Sequence, residues 1–309
     1  MKKRNKILPA LLFVLTILLF TACSGASEEI KEPTDVSVGS ESVSKDSGSA
    51  DSTQKETDET SGTEVTVAET VLYDSNGVVV TATGCEEGWM GPEISVLIEN
   101  NTQDTVLITA DELSVNGYMM PFASLYAEIA PEKKANESIS LSQSELKQAG
   151  IDTIAQLQFY IQVQDADTWD TLDTSALITL DTSAAGYVQP IDSSGDILYD
   201  ANGIKIVCKG LKQDMIWDGT VVFFMENNSG KPITVYAEEV SVNGFMQDVG
   251  LWSDLRDGTV IIDGMSLLDL SDLELESIDE VEDIEFSLRI INSDNWDTIA
   301  STDPISLTF

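Results

Sequence analysis

Carboxylates are the groups in this chain best placed to do chemistry, and they cluster. Asp165, Asp167, Asp170 and Asp173 crowd one short stretch, and Asn292, Asp294, Asp297 and Asp303 populate a matching one. Oxygen ligands at alternate positions are what Ca²⁺ takes, so Asp165, Asp167, Asp170, Asp294 and Asp297 are candidate calcium ligands. The glycine and terminal bidentate Glu of an EF-hand loop are missing, however, and Asp also opens turns by accepting hydrogen bonds from its own backbone. Turn chemistry on a solvated acidic face is the plainer expectation. Paired acids also serve glycosidases, but a catalytic acid needs a pocket that raises its pKa, and small sandwiches seldom offer a deep one.

The rest of the catalytic repertoire is missing. Histidine is absent, which removes the commonest general base near neutral pH and the commonest zinc ligand. There is no GxSxG elbow, no phosphate-cradling glycine loop and no HExxH. The net charge of -38 repels nucleic acid and favours cationic partners and divalent ions. The expectation is a non-enzymatic protein without a cofactor, with a Ca²⁺-dependent envelope protein as the alternative and a carboxylate-dependent glycan hydrolase behind it.

Aromatic residues are the other candidates for recognition. Trp89 and Trp217 fall in the loop before an apolar strand, beside Met90 and Met215, where a tryptophan is a plausible contact residue. Tyr118, with Met119 and Met120, and Phe245, with Met246, follow Asn-Gly turns and would extend an exposed apolar patch. Trp89, Trp217, Tyr118 and Phe245 are therefore candidate partner-binding residues. Trp169 and Trp296 sit among the acidic hairpins, where the edge of a core is the expectation and a ligand surface the alternative. Cys208 alternates with Ile204 and Ile206 and reads as a small apolar filler, and Cys85 reads as a loop thiol. With one thiol in each half at unmatched positions, no disulfide within a domain is expected.

The first residues carry an address. Lys2 to Lys6 form a basic start, Ile7 to Phe20 an apolar run too short for a spanning helix, and Thr21 and Ala22 are small residues before Cys23. The string Phe20-Thr21-Ala22-Cys23 resembles the bacterial lipobox, with Phe20 where leucine is usual; the resemblance implies a signal peptide over 1–22 and a lipid on Cys23. That lipid would anchor the protein to the cell membrane, facing outward. Residues 23–69 are then a tether: Ser, Thr, Glu, Asp and Gly dominate, and such a stretch cannot bury enough apolar surface to offset its ordering entropy.

The elements that position these residues come in duplicate. Leu72 to Gly77 (LYDSNG) returns as Leu198 to Gly203 (LYDANG), Ser114 to Met119 (SVNGYM) as Ser241 to Met246 (SVNGFM), and Trp169 to Leu172 as Trp296 to Ile299, at a shift of 126 to 127. Each unit, over 70–183 and 196–309 with a linker at 184–195, is long enough to be a domain. Within each, apolar residues alternate with polar ones. Leu157, Phe159, Ile161 and Val163 do so in the first copy and Ile284, Phe286, Leu288 and Ile290 in the second, the pattern of strands with one buried face. Asn-Gly at 76–77, 116–117, 202–203 and 243–244 predicts tight hairpins. Only Ser144 to Gln148 and Ser271 to Glu276 look helical. The class is all-β, two tandem antiparallel sandwiches of the immunoglobulin-like kind without that fold's Cys, Trp, Cys framework.

These strings, after a lipobox and an acidic linker, resemble the tandem immunoglobulin-like modules of Gram-positive bacterial lipoproteins. The resemblance implies a fold and a location; it carries over no catalytic residue. It leads to the expectation of a binding or spacer module whose partner is an envelope protein or polymer.

Overall fold

The computed structural model describes residues 30–38, 65–213, 219–248, 250–267, 275 and 277–309. Cys23, Trp217, Met215 and nearly all of the helical stretch expected at 271–276 lie outside the described residues. The described chain is nearly all β, its strands paired antiparallel except at one contact between the copies. Two strands come first, β1 (Ile30–Lys31) and β2 (Asp35–Val38). The first copy then runs β3 (Thr70–Ser75), β4 (Val78–Glu87), β5 (Pro92–Asn100), β6 (Val106–Val115), β7 (Tyr118–Met119), β8 (Tyr126–Ile129) and β9 (Lys133–Ser140). It continues through a short helix α1 (Gln143–Gln148) to β10 (Gln156–Asp165), β11 (Thr171–Thr174) and β12 (Ile178–Asp181). The second copy repeats this as β13 (Asp196–Ala201), β14 (Ile204–Lys212), β15 (Gly219–Asn227), β16 (Ile233–Val242), β17 (Phe245–Met246), β18 (Trp252–Leu255) and β19 (Thr259–Leu267). A 3-10 turn at Ile278–Glu280 precedes β20 (Asp283–Asn292), β21 (Thr298–Ser301) and β22 (Ile305–Thr308).

Alternation decides which face is inside. Leu157, Phe159, Ile161 and Val163 are buried in one cluster with Val80, Ala82, Ile94, Val96 and Ile98 from the sheet β3-β4-β5-β9, so two sheets enclose the first core. Ile284, Phe286, Leu288 and Ile290 meet Ile206, Cys208, Val221 and Phe223 in the second. All four Asn-Gly pairs have positive φ at both residues, which is what a two-residue turn matched to strand twist requires.

The tether expectation is corrected over residues 30–38. Ile30 and Lys31 pair with Lys212 and Leu211, and Asp35 to Val38 pair with Thr308 to Ile305, so this segment adds an edge strand to each sheet of the second copy. Val36 and Val38 pack against its core. The acidic flanks and Pro33 hid a short strand that is apolar on one side only. Gly210 makes room for it: its φ of 125° suits glycine, and a Cβ there would stand 2.5 Å from the carbonyl oxygen of Lys31.

The copies are not beads on a string. β7 of the first lies parallel to β19 of the second at Tyr118 and Val260, where Val260 N donates to Gly117 O at 3.0 Å. This contact joins strands of both copies into one eleven-stranded sheet. Val207, Phe224 and Val260 of the second copy belong to the first copy's core cluster, and Met119 of the first belongs to the second's. Arg256 closes the seam. It is buried, and donates from Nε to Glu112 O at 3.1 Å and from NH2 to Ser114 Oγ at 2.6 Å.

Candidate functional site

The seam overturns one proposed contact residue. Tyr118 is buried together with Met119 and Met120, because this hairpin is what seats the first copy on the second. Its twin in the second copy has no such seat, and Phe245 is exposed with Met246. Trp89 is 95% exposed, beside Met90. The loop beneath it is pinned by Gln143 N donating to Met90 O and by Gly88 N donating to Gly91 O.

Trp169 and Trp296 are not at a core edge: they are 59% and 67% exposed. Each occupies the same place in a hairpin, between β10 and β11 or between β20 and β21. Trp169 N donates to Asp165 O and Trp296 N to Asn292 O, while Asp165 N and Asn292 N donate to the carbonyl oxygens of Asp170 and Asp297. The Trp of each turn has left-handed backbone, φ 67° and 63°. That conformation suits glycine and costs a bulky residue on the order of 1 kcal/mol. Two copies keep a large ring at a position where glycine would relieve the backbone.

The sheet supplies each ring with a neighbour. In the second copy Tyr236 is the direct cross-strand partner of Trp252 on one side and Arg289 on the other, which places all three on one face. Tyr236 and Trp252 stack at 5.4 Å between centroids, Trp252 and Trp296 lie 6.0 Å apart, and the Arg289 guanidinium sits 5.9 Å from the Tyr236 ring. The first copy has the shorter form, Tyr126 and Trp169 at 6.3 Å. Tyr126 and Trp252, like both hairpin tryptophans, are more than half exposed. Beside Trp296 opens a cleft of about 550 Å³ lined by Asn202, Ser229, Lys231, Asn292, Asn295 and Asp297. Amides, hydroxyls, one cation and one carboxylate line this cleft, which Trp296 adjoins in sequence without lining it, so the cleft suits a ligand rich in hydrogen-bonding groups.

Asp165 and Asn292 are engaged in turn chemistry. Asp165 Oδ1 already accepts from Asp167 N at 2.9 Å and Thr168 N at 2.8 Å, and the Thr168 bond first of all holds its carboxyl below the usual range. In the second hairpin Asn292 Oδ1 accepts from Asp294 N, and Asp297 Oδ2 accepts from Asn295 Nδ2. Asp165, Asp167, Asp170, Asp294 and Asp297 are not gathered into a cation cage: among the described residues no group of three or more His, Cys, Asp or Glu is placed to hold a metal ion.

The acids that burial pushes up lie elsewhere. Glu145, on α1, is raised to about 7 by desolvation, against the pull of Phe122 N donating to its Oε1 at 3.0 Å; the field of Asp263 in the second copy adds to the rise. Asp263 is itself raised by burial, although Ser253 Oγ and Gly264 N donate to it. Nothing in the sequence pattern pointed to Glu145, which reads as an ordinary helix-surface acid until the second copy is set against it. Cys208 is buried as expected and its thiol is pushed up to about 12, whereas Cys85 lies in strand β4 rather than a loop; both are free.

No family model matches the chain, and no curated protein matches it.

Proposed function

We propose that this protein is a lipid-anchored, extracytoplasmic lipoprotein of two immunoglobulin-like sandwiches that binds a partner at the cell envelope and catalyses nothing. The address rests on the signal-peptide layout of residues 1–22 and on Cys23. Because β1 begins at Ile30, a lipid on Cys23 would hold the second copy, not the first, within roughly 25 Å of the membrane surface, the reach of seven extended residues. Loss of fatty-acid labelling in Cys23→Ala is the expected result for the anchor; undiminished labelling refutes it.

One observation carries the binding role: a tryptophan held exposed in left-handed backbone at the tip of the same hairpin in both copies, each against a second exposed ring. Exposed aromatic clusters of this kind are contact surfaces, since rigid rings add contact area at little entropic cost. A non-catalytic role is supported by where the raised acids lie: Asp111, Glu112, Glu145 and Asp263 line neither the cleft beside Trp296 nor a groove between residues 70–75 and 173–179. The test is co-sedimentation with isolated cell envelopes. Trp169→Ala/Trp296→Ala is expected to reduce retention by about tenfold or more, the loss of one anchor ring or better; retention equal to wild type would remove the two rings from the account.

A further inference from the structure

The two copies differ, among the described residues, at one sheet edge. In the second copy the outer edge of β22 is filled by β2, with Asp35 opposite Thr308 and Val38 opposite Ile305. The equivalent strand of the first copy is β12, which pairs with β10 on one side. Among the described residues its other side is unpaired along Ile178 to Asp181. Thr182 N donates to Ala155 O, so by strand alternation the backbone groups of Thr179 and Asp181 aim away from β10, as those of Ser306 and Thr308 aim toward β2. Beside this edge lies a groove of about 510 Å³ between β3 and the β11–β12 segment, lined among others by Val71, Tyr73, Asp74, Asp173, Leu177 and Thr179. Val71 and Leu177 are exposed in it. Just past the end of β12, Thr66 N donates to Ser183 Oγ and Ser183 N donates to Thr66 O.

We propose that this edge binds an extended, cationic peptide segment of a partner protein by strand addition, in the way the second copy takes residues 35–38. The second copy shows the form of the occupant: an antiparallel strand with β-branched residues at alternate positions, Val36 and Val38, turned to the core. The charge sets its sign. Val163 pairs with Asp173 in the first copy where Ile290 pairs with Ala300 in the second, and Asp181 stands where the second copy has Thr308. Asp173 is kept ionised, first by the hydroxyl of Tyr73 donating to it at 2.6 Å and also by Asn76 Nδ2 at 2.9 Å. The acidic segment that suits the second copy therefore meets two added carboxylates at the first, while a basic strand meets complementary charge. Neither Trp169 nor Trp296 lines the groove, so the peptide site is tested apart from the two rings.

The probes are two synthetic peptides, the chain's own Ile30 to Val38 sequence and the same peptide carrying Glu32→Lys and Asp35→Lys, added to the full-length chain while amide exchange and shifts are followed by NMR. The basic peptide is expected to slow exchange at Thr179 and Asp181 and to bind about tenfold more tightly than the acidic one. Thr179→Pro, which removes an outward N–H from an edge where proline is tolerated, should weaken it about fivefold. Should that variant fail to fold, Asp173→Ala serves, and is expected to erase the preference for the basic peptide. The proposal is overturned if neither peptide slows those amides or if both bind equally. It is equally overturned if Thr179→Pro folds and binds undiminished, if Asp173→Ala keeps the preference, or if Thr179 and Asp181 in the free chain already exchange as slowly as Ser306 and Thr308, which would mean that residues 39–64 or a second copy fill the edge.

Discussion

Phe224 and Leu97 occupy the same place in the two copies, on the outward side of the strand that crosses each sandwich, and their surroundings differ completely. Phe224 is fully buried under the first copy, while Leu97 remains partly exposed. The same holds along the neighbouring strands, where Val207, Val260 and Ile262 stand opposite Thr81, Lys134 and Asn136 in the first copy. Duplication kept the inner faces and let the outer faces diverge, one toward a seat for its twin and one toward water. A repeat of this kind is read correctly by asking which copy lost its alternation. In β15, Val221 through Met225 are apolar on both faces, the mark of a strand covered on both sides.

The comparison is easiest to break at the seam. Phe224→Ala is expected to cost about 3–5 kcal/mol and to separate the melting of the two copies, whereas Leu97→Ala at the matched position should cost about 1 kcal/mol, both read by calorimetry. Equal costs would mean that the copies do not share a core. Next in size is the glycine pair. Gly210→Ala forces a Cβ against Lys31 in left-handed backbone and should cost about 2 kcal/mol while releasing residues 30–38 to proteolysis; Gly84→Ala meets nothing within 4 Å and should be almost neutral.

A smaller effect sharpens the electrostatics of the seam. Glu145 has its folded pKa raised to about 7 from an ordinary 4.5. Between those values the folded chain holds a proton that the unfolded chain has lost, so stability is greatest below the unfolded value and falls as pH rises toward 7. With the partial exposure of this group the swing is on the order of 1 kcal/mol. Glu145→Gln, which keeps an oxygen for Phe122 N, should raise the melting temperature at neutral pH and flatten its dependence between about pH 5 and 7. A dependence as steep as wild type would assign the effect to another acid, Asp263 first.

Much of the fold was legible because local and global preferences agree: alternating runs became strands, and each Asn-Gly became a turn with positive φ at both residues. The site was less so. The hairpins at Trp169 and Trp296 were visible, and Asp165 in the first does the turn chemistry expected of it, as Asn292 does in the second, but the rings were placed at a core edge. Residue type alone favours burial of tryptophan and says nothing of a left-handed backbone that swings it outward. Tyr118 failed in the opposite direction, because its exposure is decided by β19 of the other copy. The strand at 35–38 was missed for a related reason: four residues with one apolar side carry no signal until an open edge is there to receive them.

The central claim is that the two hairpin tryptophans are kept for contact and not for folding. Thermal unfolding of Trp169→Gly/Trp296→Gly tests it most directly, because glycine relieves the left-handed backbone at both sites while removing both rings. The account predicts a stability within about 1 kcal/mol per site of wild type, strain relief offsetting the lost ring contacts. A loss above about 2 kcal/mol per site would show the rings to be structural and contradict it.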